Sequence, residues 1–313
     1  MTIRCIDAHV HLGDVCAKYT RKYRTKYANV SSLESFLEKY DYPSLVLKLL
    51  RSDLFPKAPL LRYCAQVGLT ATPENLIKSM AEAGILQSFI LPIEPENSTN
   101  SILKICNKHE SLVPLFSLDF NSITIKTVHS AIRSLLVTHP FVGLKFHPNI
   151  QGVDPLSEIA EAVYLEAGMR GFFIMMHVGR TPFIPGPQGR LAMLSNVFQL
   201  PSMFPKTNFI FCHMGGYFDP DSNSFYTGLK EQPNVWFDTS GVSVKSIILG
   251  LQNFGYKKVI FGSDWPYASQ SVALKRTNLA VKIYSERENV DFSIALDHVL
   301  FRNAVTLMTG LPN

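Results

Sequence analysis

Long hydrophobic runs are missing from this chain. The most extended, Gly171 to Val178, is interrupted by His177, and nothing approaches the roughly 20 apolar residues that cross a bilayer. No membrane association is expected. Cysteine is sparse: the five, at positions 5, 16, 64, 106 and 212, form no CxxC pair, and their odd number argues against a full disulfide framework. The opening Met1-Thr2-Ile3-Arg4 runs straight into an apolar strand, so no secretory leader is expected. A reducing compartment follows, and the cytoplasm is the expected location. No GxGxxG follows any strand-like run, which speaks against a dinucleotide-binding fold. Excess charge is small and scattered: 30 Lys and Arg stand against 25 Asp and Glu, a formal +5. That balance favours anionic small molecules and does not argue for nucleic acid. One stretch, Lys18 to Tyr27, interleaves basic and aromatic residues as a base-stacking platform would. A solvated lid or a subunit contact is the simpler reading, and a small molecule is the expected partner.

What the chain does have is core. It is 46% hydrophobic and 18% charged over 313 residues, enough for one large α/β barrel or two ordinary domains. After a first strand at about 5–13, residues 12–72 read as a long insertion or lid. Within it a helix is expected from Leu33 to Leu50, interrupted at Pro43, with irregular chain around Pro56 and Pro59. From Thr72 the pattern becomes regular. Thr72 and Pro73 open a helix that stops at Gly84. Apolar strands are expected at 85–93, 112–120, 141–148, 172–178, 208–213, 235–239 and 259–264. Helices are expected at 99–109, 123–138, 155–169, 189–199, 243–254 and through 269–309. Continuous apolar strands alternating with helices indicate a parallel sheet buried on both faces. Eight such units predict a closed (β/α)8 TIM barrel, one domain over 1–313, with the 12–72 insertion after strand one.

In such a barrel reactive residues collect at the carboxyl ends of the strands. Strand one carries Asp7-Ala8-His9-Val10-His11, and period-two alternation puts Asp7, His9 and His11 on one face. Later strands end in Lys145 and His147, in His177, in His213 and in Asp264, whereas His109, His129, His139 and His298 fall in or near helices. His9, His11, His177 and Asp264 make a nitrogen-and-carboxylate set suited to one divalent ion, most simply zinc, with a position left open. His213 is then free to polarise a carbonyl or move a proton, and Asp264 to take the proton of an attacking water. Lys145 is expensive to bury unpaired. It could neutralise a substrate carboxylate or, carbamylated, bridge a second metal with His147 nearby; one ion is the expectation. Arg180 suits bidentate pairing with a substrate carboxylate, Trp265 with Tyr267 an apolar wall, and Gly215-Gly216 a close backbone approach.

These pieces resemble the amidohydrolase superfamily, and within it the amidohydrolase-related (amidohydrolase 2) branch that includes aminocarboxymuconate-semialdehyde decarboxylase. The resemblance rests on Ile6 to His11, Gly143 to Pro148, His177-Val178-Gly179, Cys212 to Gly216, Phe261 to Pro266 and Arg302-Asn303-Ala304. It implies the barrel, a divalent metal on His9, His11, His177 and Asp264, and His213 as a catalytic group. The branch holds C–N and C–O hydrolases as well as non-oxidative decarboxylases. A metal-dependent hydrolase of a small carboxylated or cyclic substrate is expected, with a zinc-dependent decarboxylase as the alternative. A homodimer is a further expectation, since the insertion needs a surface to pack on.

Overall fold

Among the described residues eight short strands carry the architecture. They are β1 (Ile6–Val10), β2 (Gln87–Ile90), β3 (Leu112–Pro114), β4 (Gly143–Phe146), β5 (Phe173–Met176), β6 (Phe209–Phe211), β7 (Val235–Asp238) and β8 (Val259–Ile260). The computed structural model describes residues 4–23, 58–217 and 223–310. The helix expected at Leu33–Leu50, the kink at Pro43, Pro56 and residues 24–27 of the basic–aromatic stretch lie outside the described residues.

All pairings are parallel, within two arcs of order β1-β2-β3 and β4-β5-β6-β7-β8. Main-chain hydrogen bonds bridge both seams. Phe116 N donates to Gly143 O at 3.1 Å and Lys145 N to Phe116 O at 2.7 Å. On the other side Ala8 N donates to Phe261 O at 2.9 Å, Asp264 N to His9 O at 2.9 Å and His11 N to Trp265 O at 2.8 Å. The ring therefore closes as a barrel. Alternate strand positions serve two layers. Ile6, Ala8, Phe89, Leu91, Phe173, Met175, Ile210, Cys212 and Ile260 form the cluster inside the ring. Their neighbours Ile90, Leu144, Ile174, Phe209 and Phe211 join the helices outside it. β4 begins with glycine for a steric reason: a Cβ at Gly143 would lie 2.2 Å from the Phe173 ring.

Helices fill the crossovers, with local differences from expectation. Helix Pro73–Ala83 starts at Thr72, whose hydroxyl accepts from Asn75 N, and ends at Gly84 with φ +70°. A helix, Ala58–Thr70, occupies residues read as irregular around Pro59; proline is tolerated in a first turn, where no intrahelical donor is lost. The helix expected over 189–199 is instead a 3-10 turn, Pro187–Arg190, followed by a single helical turn, Leu194–Val197; Pro201 then sits in the first turn of a separate short segment, Leu200–Met203. The expected 269–309 helix is Gln270–Glu288, Phe292–Asp297, a wide turn over His298–Arg302, and Asn303–Thr309. Asn289, at φ 54°, terminates the first of these. Among the described residues no helix is long and apolar enough to cross a membrane.

Candidate metal centre

β1 does not keep its period. Its register against β2 shifts between Asp7 and Val10, so Ile6 and Ala8 point into the barrel while Val10 packs outward with the helices. The expectation that Asp7 shares a face with His9 and His11 fails for this reason. Asp7 turns instead to the β8 loop and its helix, accepting from Ser263 N at 2.9 Å, Ser263 Oγ at 2.6 Å and Gln270 Nε2 at 2.8 Å. Burial raises its pKa to about 6, against the pull of those hydrogen bonds.

His9 and His11 are brought together with Asp264. Their Nε2 atoms are 3.2 Å apart, and Asp264 Oδ1 lies 3.6 Å from His9 Nε2 and 3.7 Å from His11 Nε2. These three residues form a group able to hold a metal ion. The partners of each ring fix its tautomer. His11 Nδ1 donates to Leu91 O at 2.9 Å, and His9 Nδ1 donates to Asp238 Oδ2 at 2.7 Å. Both Nε2 atoms therefore carry lone pairs and face each other, an arrangement that repels unless a positive charge sits between them. Burial, followed by Lys145, lowers the His9 pKa to about 3, opposed by Asp238. Burial also holds His11, His147 and His177 well below the ordinary value and lowers His213. Neutral imidazoles are the form that binds metal. The Asp264 carboxyl, 21% exposed, is raised by burial to about 8, and a cation would exchange with its proton. The donor set thus fits a divalent ion.

The rest of the rim is placed from β4, β5 and β6. Lys145 is 1% exposed, with Nζ 3.3 Å from His9 Nε2 and 3.4 Å from Cys212 Sγ. Among the described residues no carboxylate lies within ion-pair distance of it. His147 follows β4 and stacks on His177, centroids 4.0 Å apart and planes 8° apart. Two amides on the next turn, Asn149 buried and Gln151 half-buried, hold this region. Gln151 Oε1 accepts from His147 N at 2.8 Å, and Asn149 Nδ2 donates to Gly179 O and Thr181 Oγ1, each at 2.9 Å. His213 Nδ1 donates to Ser240 O at 3.0 Å, so its Nε2 accepts from His177 Nδ1 at 3.1 Å. That leaves His177 Nε2 unprotonated, within 3.4 Å of Thr181 Oγ1. His177 lines the same cavity as the three-residue group without belonging to it.

These groups floor a cavity of about 140 Å³, whose walls include Tyr63, Ile150, Phe183 and Tyr267, with Arg180 at its edge. Trp265 is placed elsewhere: its ring joins the core and borders a neighbouring cavity of about 420 Å³. Sequence reasoning passed over Asp238 and Ser240. The signal was there, since Asp238 closes the apolar run Val235-Trp236-Phe237 at the strand end where every other reactive side chain was sought.

A closed parallel barrel with histidines and a carboxylate converging on its carboxyl rim defines a class, the metal-dependent barrel enzymes. The chain belongs to the amidohydrolase family within it: the Amidohydro_2 model, described as amidohydrolase, matches residues 6–290. Solved structures that resemble the chain include an uncharacterized TIM-barrel protein, Bb4693, from Bordetella bronchiseptica, with TM-score 0.67, 14% identity and 98% of each chain covered. Another is a 5-carboxyvanillate decarboxylase from Novosphingobium aromaticivorans complexed with manganese and 4-hydroxy-3-methoxy-5-nitrobenzoic acid, with TM-score 0.63, 13% identity and coverage of 98% of this chain and 96% of that one. A third is a probable 2-pyrone-4,6-dicarboxylic acid hydrolase from Acinetobacter baumannii with citric acid bound, with TM-score 0.55, 15% identity and coverage of 99% and 100%. At these identities the likeness speaks for the fold. No curated protein matches the sequence.

Proposed function

We propose that the chain is a metal-dependent hydrolase of small carboxylated or cyclic substrates, with one divalent ion, zinc, held by His9, His11, His177 and Asp264. The observation that carries this reading is the meeting of the His9, His11 and Asp264 donor atoms at 3.2–3.7 Å on the floor of a cavity. Mixed imidazole and carboxylate donors suit zinc. A divalent ion held there supplies Lewis acidity and acidifies water toward neutral pH. Asp264, partly exposed to the cavity, accepts the proton of the attacking water. His213, neutral with its proton on Nδ1, keeps Nε2 as an acceptor; it moves a proton by taking up at Nε2 the one Asp264 has accepted from the water and passing it to the leaving group. The Lys145 ammonium and Arg180 bind the substrate's anionic group, and the aromatic walls shape its body. His9→Ala and His177→Ala proteins are expected to lose both bound metal and turnover; retention of both would refute the reading.

Decarboxylation is the second reading, and Lys145 is what favours it. A buried ammonium beside the cation site provides two positive centres for a carboxylate, and the Novosphingobium neighbour is a decarboxylase. A panel of aromatic and unsaturated acids, lactones and amides separates the two: hydrolysis products without carbon dioxide support the first, and carbon dioxide release the second.

A further inference from the structure

We infer that Asp238 is a positioning residue that uses its two oxygens for two different jobs, fixing the tautomer of His9 with one and the backbone of His213 with the other. The inference rests on the metal reading above for the importance of His9, but its geometry stands apart from it. Oδ2 accepts from His9 Nδ1 at 2.7 Å. Oδ1 accepts from His213 N at 2.7 Å, from Ser240 N at 3.1 Å and from Ser240 Oγ at 2.6 Å. Ser240 Oγ, which donates to Oδ1, also lies 3.0 Å from both His9 Nδ1 and His213 Nδ1, beside the Oδ2 bond and not part of it. All of these residues are buried.

The backbone after β6 shows why His213 needs such a hold. His213, Met214, Gly215 and Gly216 all lie in the left-handed region, with φ of 58°, 51°, 71° and 95°. Glycine takes that conformation freely, whereas histidine and methionine are strained in it by their Cβ atoms. A residue held there persists only where the surroundings over-determine it. Asp238 does so by taking the His213 amide, a buried donor that this turn removes from the strand ladder.

An ionised carboxylate is the only side chain here that accepts on both oxygens. Asparagine, nearly the same shape, has one accepting oxygen and one donating nitrogen. If its NH2 faces His9, the His9 proton moves to Nε2 and the ring no longer offers a metal-binding lone pair. If its NH2 faces His213 N, two donors oppose each other in a buried space. Neither orientation preserves both jobs.

The test compares wild type, Asp238→Asn and Ser240→Ala, each freed of metal and titrated with zinc alone against a chromophoric chelator, with melting temperature and histidine nitrogen NMR measured on the metal-free forms. Expected are zinc binding about 10- to 100-fold weaker in Asp238→Asn, with a His9 Nε2–H signal, and wild-type zinc affinity in Ser240→Ala, where the Oδ2 bond is intact. A folded Asp238→Asn protein with wild-type zinc affinity would overturn the inference, as would an equal loss in Ser240→Ala. Should Asp238→Asn not fold, wild-type NMR decides: Nδ1–H on His9 together with a slowly exchanging His213 backbone amide supports the inference, and Nε2–H on His9 refutes it. A wild type that binds no zinc would instead defeat the metal reading, leaving the NMR result to judge Asp238.

Discussion

The two ends of the barrel interior are buried almost equally yet are held by different forces. Toward the amino ends, Ile6, Ala8, Phe89, Phe173, Met175, Ile210 and Ile260 fill the ring with hydrocarbon. A few ångströms along the same strands, His9, His11, Lys145, His147, His177 and His213 occupy the equivalent layer. The lower layer gains from packing and transfer of apolar surface out of water. The upper layer gains nothing from burial, which disfavours every charged form there. It is held by hydrogen bonds, which at His9 and His11 leave the Nε2 lone pairs turned toward each other. The contrast teaches that the lower layer stabilises the fold, whereas the upper layer is shaped for a cation and burdens the fold without one.

Substitution in each layer should therefore break different properties. The largest effect is expected from Asp264→Asn, which keeps the shape and removes the charge. Turnover should fall by about 10²- to 10⁴-fold with loss of the base, and bound zinc, measured by elemental analysis, should fall with it. The metal-free variant should melt no lower than metal-free wild type, because a half-buried carboxyl has been replaced by a neutral group of the same shape. Next comes Phe173→Ala in the lower layer. It should cost about 3–5 kcal/mol in denaturant unfolding, while the protein that remains folded still binds one zinc. A melting loss in Asp264→Asn comparable to that of Phe173→Ala would erase the distinction.

How much of this was legible in the sequence differs between the layers for the same physical reason. Apolar strands separated by helices announce a parallel barrel, and Thr72, Pro73 and Gly84 mark helix ends by local chemistry alone. His9, His11, His177, His213 and Asp264 are legible as one set because strand ends share one rim, and the structure lines a single cavity with them. Asp7 was misplaced because a register shift between β1 and β2 depends on the neighbouring strand, which the local sequence does not encode. Asp238 and Ser240 escaped notice because their roles arise from His9, more than two hundred residues away. The helix Ala58–Thr70 is hidden in the sequence because Pro59 signals a break, whereas a first-turn proline is compatible with a helix.

Two smaller effects sharpen the comparison. Gly143→Ala places a Cβ 2.2 Å from the Phe173 ring and should destabilise by about 1–3 kcal/mol through overpacking, with zinc affinity retained. Measuring unfolding and zinc titration together would show whether strain in the lower layer reaches the rim. The smallest effect lies outside the barrel, where Glu166 joins the helices Val128–Thr138 and Glu158–Arg170. Its carboxylate meets Arg170 Nε and His129 Nδ1, each at 2.7 Å. Burial pushes its pKa up, but these two partners outweigh that and leave it below 4.5. A depressed carboxyl pKa contributes stability above the unfolded value and loses it as pH falls through the folded one. Glu166→Gln should therefore be less stable than wild type by about 0.5–1 kcal/mol at neutral pH, with the gap closing in acid. A gap that widens in acid would contradict the assignment.

Anomalous diffraction at the zinc absorption edge, from crystals grown with zinc, tests the central claim most directly. A single strong peak is expected within bonding distance of His9 Nε2, His11 Nε2, His177 Nε2 and the Asp264 carboxylate. Density without a peak at that point, with Lys145 Nζ still lying against His9 Nε2, would contradict it.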